Sequence, residues 1–173
     1  MEVLNLRSLF LITAFFTAFS NSLVLDARDP ENLLTIPGSS SEYTICQPTK
    51  SVGGGHSRCT LTWVAHSNMK DLARIFIFDS YCKTINAPTK VNSAQLNAGF
   101  ATESELPNTV VLYVFDPMRP EKSKFMYGAA EYNATLSSPG NPGAYNDFIE
   151  LSGVDPYTNG EGTYKISRNQ FYC

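Results

Sequence analysis

Ile75-Phe76-Ile77-Phe78, preceded by Arg74, offers no polar face, and neither does Val110-Val111-Leu112-Tyr113-Val114-Phe115. Short continuous runs of β-branched and aromatic residues suit central strands covered on both sides. Arg58 to His66 reads differently. Cys59, Leu61, Trp63 and Ala65 alternate with Thr60, Thr62 and His66. Successive side chains of a strand face opposite sides of its sheet, so this is a half-buried strand with Cys59 and the single tryptophan on the core side. Tyr43–Cys46, Phe125–Tyr132, Phe148–Leu151 and Tyr164–Ser167 add further short strands. The centre of Phe125–Tyr132, Gly128-Ala129-Ala130, is small enough for close packing or a bulge. Asn159-Gly160 is a hairpin signal, because both positions tolerate positive φ. Helical periodicity is confined to one or two turns at Asn68–Ala73 and Val91–Ala98. The pattern predicts an all-β domain, an antiparallel sandwich or barrel with one or two short helical turns.

Four cysteines tie this framework: Cys46, Cys59, Cys82 and Cys173. No Cys-x-x-Cys pair exists, so zinc spacing is absent and two disulfides are expected. The preferred pairing is Cys59–Cys82 with Cys46–Cys173, which fastens the last cysteine to the first strand. A Cys46–Cys59 bridge across a hairpin stays open.

The first residues set the compartment. A head ending in Arg7 precedes an uncharged apolar run, Leu9 to Phe19, and then the small residues Ala18 and Ser20. The run is shorter than the ~20 residues that span a bilayer and has the length of a signal-peptide core. Residues 1–20 are read as a signal peptide cut after Ser20, with cleavage after Ser22 a close second. Residues 21–41 form an N-terminal arm or short pro-segment, with a processing position at Arg28. Residues 42–173 are one β-rich domain. Roughly 150 residues remain after cleavage, enough for one core. No later segment is apolar enough to be a stable membrane span. Asn133-Ala134-Thr135 is the one N-x-Ser/Thr acceptor, hence an expected surface glycan in an exported chain.

Chemistry is sparse. The net charge is −3 and the basic residues are scattered, so nucleic acid and anionic membrane surfaces are not expected partners. The two histidines, His56 after three glycines and His66 on the polar side of its strand, have no identifiable partner for general-base work and are read as a turn and a solvated residue. No nucleophile elbow, His-Glu-x-x-His or P-loop is present. Asp79, Asp116, Glu131, Asp147 and Glu150 are the candidate carboxylates for a glycosidase-type pair, but isolated acids on strands carry no spacing. Asp79 and Asp116, each ending a strand in Phe-Asp, are read as loop residues in preference to calcium ligands. No metal, cofactor or catalytic residue is expected. Tyr145 and Tyr157, in Pro/Gly/Asn-rich loops, are the expected binding residues, since loops on a rigid scaffold carry recognition.

Tyr43-Thr44-Ile45-Cys46 looks like the aromatic-x-Cys start of ribonuclease-like effectors of powdery mildews, but no histidine follows His66 to act as a general acid. The whole layout, an export signal, a short arm and a compact cysteine-bridged domain, resembles small secreted effectors of plant-pathogenic fungi. Some of those are β-sandwiches in which a disulfide joins an early strand to the C-terminus. The resemblance implies a secreted, non-enzymatic protein whose partner is a host protein or cell-surface component. An extracellular carbohydrate- or lipid-binding module and a divergent secreted hydrolase are the alternatives.

Overall fold

The computed structural model describes residues 33–35, 42–48, 57–69, 71–119, 123–134, 146–154 and 160–173. Among the described residues there are eleven strands and one helix: β1 (Leu33–Thr35), β2 (Glu42–Thr44), β3 (Arg58–His66), β4 (Leu72–Phe78), β5 (Thr89–Asn92), α1 (Ser93–Ala98), β6 (Phe100–Thr102), β7 (Val110–Tyr113), β8 (Lys124–Tyr127), β9 (Ala130–Asn133), β10 (Asn146–Val154) and β11 (Glu161–Tyr172). All pairings are antiparallel. The order is β10-β11-β3-β4-β5 in one sheet, β6-β7-β8-β9 in a second, and β1 pairs with β2 in a third. Among the described residues neither larger sheet closes on itself, so the expected all-β fold takes its sandwich form and not a barrel.

The core between the two large sheets follows the alternation of β3. Cys59, Leu61, Trp63 and Ala65 point inward with Ala73, Ile75 and Ile77 of β4. They meet Val110 and Leu112 of β7, Phe125 and Tyr127 of β8, and Tyr132 of β9. Phe171 of β11 sits among three of these rings, 5.5 Å from Phe125, 5.2 Å from Tyr127 and 6.0 Å from Tyr132, each at a steep interplanar angle. Edge-to-face geometry of this kind adds to simple area burial.

The five-stranded sheet is apolar on its other face too. Val64, Phe76, Phe78, Tyr164 and Ile166 are buried there beneath Ile45 and Cys46. The segment carrying β2 crosses this face and is fixed by two contacts to its backbone. Thr62 Oγ1 donates to Ile45 O at 2.7 Å, and an Arg168 Nη donates to Thr44 O at 2.7 Å. Burying Phe76 and Phe78 alone is worth roughly 3–6 kcal/mol. So β4 is a strand covered on both sides, as its uninterrupted apolar run predicts. β7 is not: Val111 and Tyr113 of its outer face are only half-buried, and Phe115 just beyond it is 61% exposed.

The disulfides are Cys46–Cys82 and Cys59–Cys173, not the expected Cys59–Cys82 and Cys46–Cys173. The two faces of one sheet explain the difference. Cys59 lies on the inner face, and Cys82 lies with the outer cluster, so a bridge between them has to pass through the sheet. Cys59 instead pairs across the ladder with Phe171, two residues short of Cys173, whose N–H donates to Ser57 O. Cys46 belongs to the covering segment and reaches Cys82 on the same side.

Two smaller expectations change. Residues 68–73 form no helix: a tight turn follows His66, with Met69 N–H donating to His66 O, and β4 begins at Leu72. The run 125–132 is two strands, because Gly128, at φ 58°, reverses the chain. Within the segment read as an N-terminal arm or pro-segment, Leu33–Thr35 pairs with Glu42–Thr44. The second helical expectation holds as α1, where Asn92 and Gln95 close a reciprocal capping box.

Candidate functional site

Of the sequence-derived positions, Tyr145, Tyr157, His56, Ser20 and Arg28 lie outside the described residues. Asn133 is exposed and ends β9, an edge strand of the four-stranded sheet.

His66 is not solvated; it is 1% exposed. Its Nδ1 accepts from Asn68 N–H at 3.2 Å, and its Nε2 faces Gly153 O at 3.3 Å, which assigns the proton to Nε2. The ring packs edge-on against Tyr164, whose hydroxyl donates to Val154 O at 2.8 Å. Gly162 makes room for it, since a Cβ there falls 2.5 Å from His66 Cε1. With its lone pair taken by a backbone amide, this imidazole tethers β3 to the β10–β11 hairpin.

The carboxylates are dispersed. Glu131 pairs with Lys124 at 2.9 Å, and Glu150 pairs with Lys165. Asp147 sits opposite Arg168 in the β10–β11 register. Asp79 and Asp116 each cap a turn, accepting from the backbone N–H two residues on, that of Tyr81 and of Met118, both at 2.8 Å. That shared role accounts for the repeated Phe-Asp ending. They occupy opposite ends of the sandwich. Asp116 follows Val114, which bonds to Leu96 of α1 beside the start of β4, whereas Asp79 follows the end of β4, six residues or ~20 Å away. They do not share an ion. Among the described residues, no three His, Cys, Asp or Glu side chains gather as metal ligands.

Three arginines are buried on the outer face of the five-stranded sheet: Arg58, Arg74 and Arg168. Arg168 lies 5.5 Å over the Tyr43 ring and Arg58 lies 5.2 Å over the Tyr172 ring. Burial lowers the pKa of Arg74 below the ordinary guanidinium value, with Tyr164 opposing the shift.

The loop after β4 carries a highly exposed aromatic ring on a closely held backbone. Asp79 N–H donates to Lys83 O and Cys82 N–H to Asp79 O. Asp79 Oδ1 also accepts from Lys83 N–H at 2.9 Å, so one carboxylate holds both limbs. A bridge between Phe78 and Thr84 closes the base. Cys82 adopts φ 65°, uncommon for a residue with a side chain, and is tied to Cys46. At the tip of this frame Tyr81 is 85% exposed. Unusual backbone held by its surroundings concentrates at functional sites. Arg58 and Tyr172 lie at the same end of the sheet, by the register Thr60↔Phe78 and Arg58↔Tyr172. The sequence signal for Tyr81 was available: a turn-forming Asp two residues before it and a cysteine immediately after. No family model, no curated protein and no solved structure matches this chain.

Proposed function

We propose that the chain is a secreted, non-enzymatic protein that acts in host interaction by binding a host protein or cell-surface component through the Asp79–Thr84 loop. The observation that carries this reading is Tyr81, 85% exposed on a loop whose backbone is otherwise fixed. Tyrosine brings a large apolar surface and a hydroxyl with few torsions to freeze, and it is enriched among residues that dominate binding. A preorganised loop also lowers the entropic cost of association. Export is supported by the apolar N-terminal run and by four cysteines closed in two bridges, which persist in oxidising compartments. The exposed edge position of Asn133 supports a glycan there.

The test uses labelled protein on intact plant cells. Tyr81→Ala removes most of the retained label while the melting temperature stays unchanged; equal retention refutes the reading. Mass spectrometry of the culture fluid reports export, the mature N-terminus and the mass of an N-linked glycan at Asn133. A carbohydrate-binding module is the second reading, favoured by the bare aromatic ring of Tyr81. Selective signal on a glycan array, lost in Tyr81→Ala, decides for it.

A further inference from the structure

Both faces of the five-stranded sheet are buried, one against β7, β8 and β9 and the other beneath Ile45 and Cys46. The four-stranded sheet differs. Phe125 and Tyr127 of β8 point into the core, so Lys124 and Met126 point outward. Val111 lies opposite Met126 and Tyr113 opposite Lys124 on the same outer face. All four are half-buried, and none belongs to either buried cluster of the described residues. The run Val110–Phe115 is made for cover on both sides, and the described residues cover one. A contiguous apolar patch at a surface marks a place where something docks.

The register puts the acceptor asparagine on that same face. Asn133 of β9 lies opposite Lys124, which lies opposite Tyr113, so the three form one row across the sheet. Directly opposed residues share a face, and Asn133 is exposed on it. Tyr113 is two strand spacings from Asn133, about 10 Å, a span that the first two pyranose rings of a glycan cover. The neighbouring row, Val111↔Met126↔Glu131, lies on this face too. Its polar groups sit beside the apolar ones: Lys124 Nζ is 5.6 Å from the centre of the Tyr113 ring and 2.9 Å from Glu131 Oε2. An aromatic ring and a thioether flanked by an ammonium and a carboxylate match a pyranose, which has an apolar C–H face and hydroxyls around its edge.

We propose that the N-linked glycan of Asn133 is the cover of this face, its innermost N-acetylglucosamine residues lying over Met126 and Tyr113 with hydroxyls on Lys124 and Glu131. The proposal rests on the reading of Asn133 as glycosylated and adds to it a direction and a role. The sugar folds back on the sheet in place of extending into solvent. A tethered occupant needs little intrinsic affinity, because its attachment holds it at a high local concentration. The same sugar screens β9, an edge strand of its sheet, from pairing with another chain.

Peroxide footprinting of the protein secreted from a eukaryotic host tests the cover. Thr135→Ala is the comparison, because it abolishes the acceptor and leaves Asn133 and the face residues unchanged. Mass spectrometry first reads the occupancy of Asn133. Met126 sulfoxide then forms about threefold more slowly in the glycoprotein than in Thr135→Ala, while Met69 and Met118, half-buried elsewhere, oxidise equally in both. Thr135→Ala also melts about 2–4 °C lower, and the effect of the glycan on melting shrinks in a Met126→Ser background. Equal oxidation of Met126 in the two proteins, with Asn133 occupied, overturns the proposal and leaves the glycan in place, whether the sugar points to solvent or another chain covers the face. An unoccupied Asn133 overturns both.

Discussion

Removing the Cys59–Cys173 bridge isolates what a crosslink does here. The pair closes a loop of 114 residues, and Cys46–Cys82 closes one of 36. The chain-entropy relation assigns about 5 kcal/mol to the longer loop and about 4 kcal/mol to the shorter, all of it from constraint on the unfolded chain. The native contacts around Cys173 survive its loss, because Phe171 remains in the β3–β11 ladder and among its three aromatic neighbours. Cys59→Ala/Cys173→Ala is therefore expected to lose about 5 kcal/mol in urea denaturation, a large part of the 5–15 kcal/mol that domains possess. Its m-value rises, since the freed denatured chain exposes more surface. Cys46→Ala/Cys82→Ala is expected to lose about 1 kcal/mol less, as Thr62 and Arg168 still hold the covering segment. A loss below about 1 kcal/mol for the longer loop contradicts the entropic argument. A reversed order means that the two hydrogen bonds cannot retain the cover without its staple, which refutes the role given to them.

Thr62→Val keeps shape but leaves Ile45 O without its buried donor, an expected loss of about 1–3 kcal/mol by chemical denaturation. Gly162→Ala sets a methyl 2.5 Å from His66 Cε1 and 2.4 Å from Ser67 Oγ, and overpacking of this order costs about 1–3 kcal/mol, read as a lowered melting temperature. Burial holds the Tyr132 phenol above its ordinary pKa of 10.0, against a lowering backbone hydrogen bond at Tyr172. A raised native pKa favours the protonated form, so its stabilising contribution is complete below pH 10 and is lost as pH rises through the native value. The alkaline limb of stability against pH is therefore flatter in Tyr132→Phe than in the wild type.

The strand inventory was legible because each β3 residue obeys the period of two. The two-sided burial of β4 was legible because Ile75–Phe78 has no polar position. The same reasoning failed at β7: an apolar run states that a strand tolerates burial on both faces, not that cover exists for both. The cysteine pairing was hidden because face is a property of each strand's phase, and the phase of Cys82, in a turn beyond β4, has no sequence mark. His66 looked solvated by alternation alone. The alternation was right about its face, but that face is covered by a second core, and a single strand cannot reveal what lies above it. Tyr81 was missed because the eye goes to glycine- and proline-rich loops, whereas its loop is fixed by one aspartate and a bridge.

The placement of β3 has a temporal consequence. Its register joins Arg58 to Tyr172 and His66 to Tyr164. As the chain emerges from the ribosome, β3 finds β4 at once, but its other neighbour, β11, is made roughly a hundred residues later. Until then a central strand carries an unpaired flank. Pairings of such long sequence separation close slowly, and unpaired flanks attract wrong partners meanwhile. Assembly of the main sheet thus waits for β11, and the Cys59–Cys173 bond records that β3 and β11 have met.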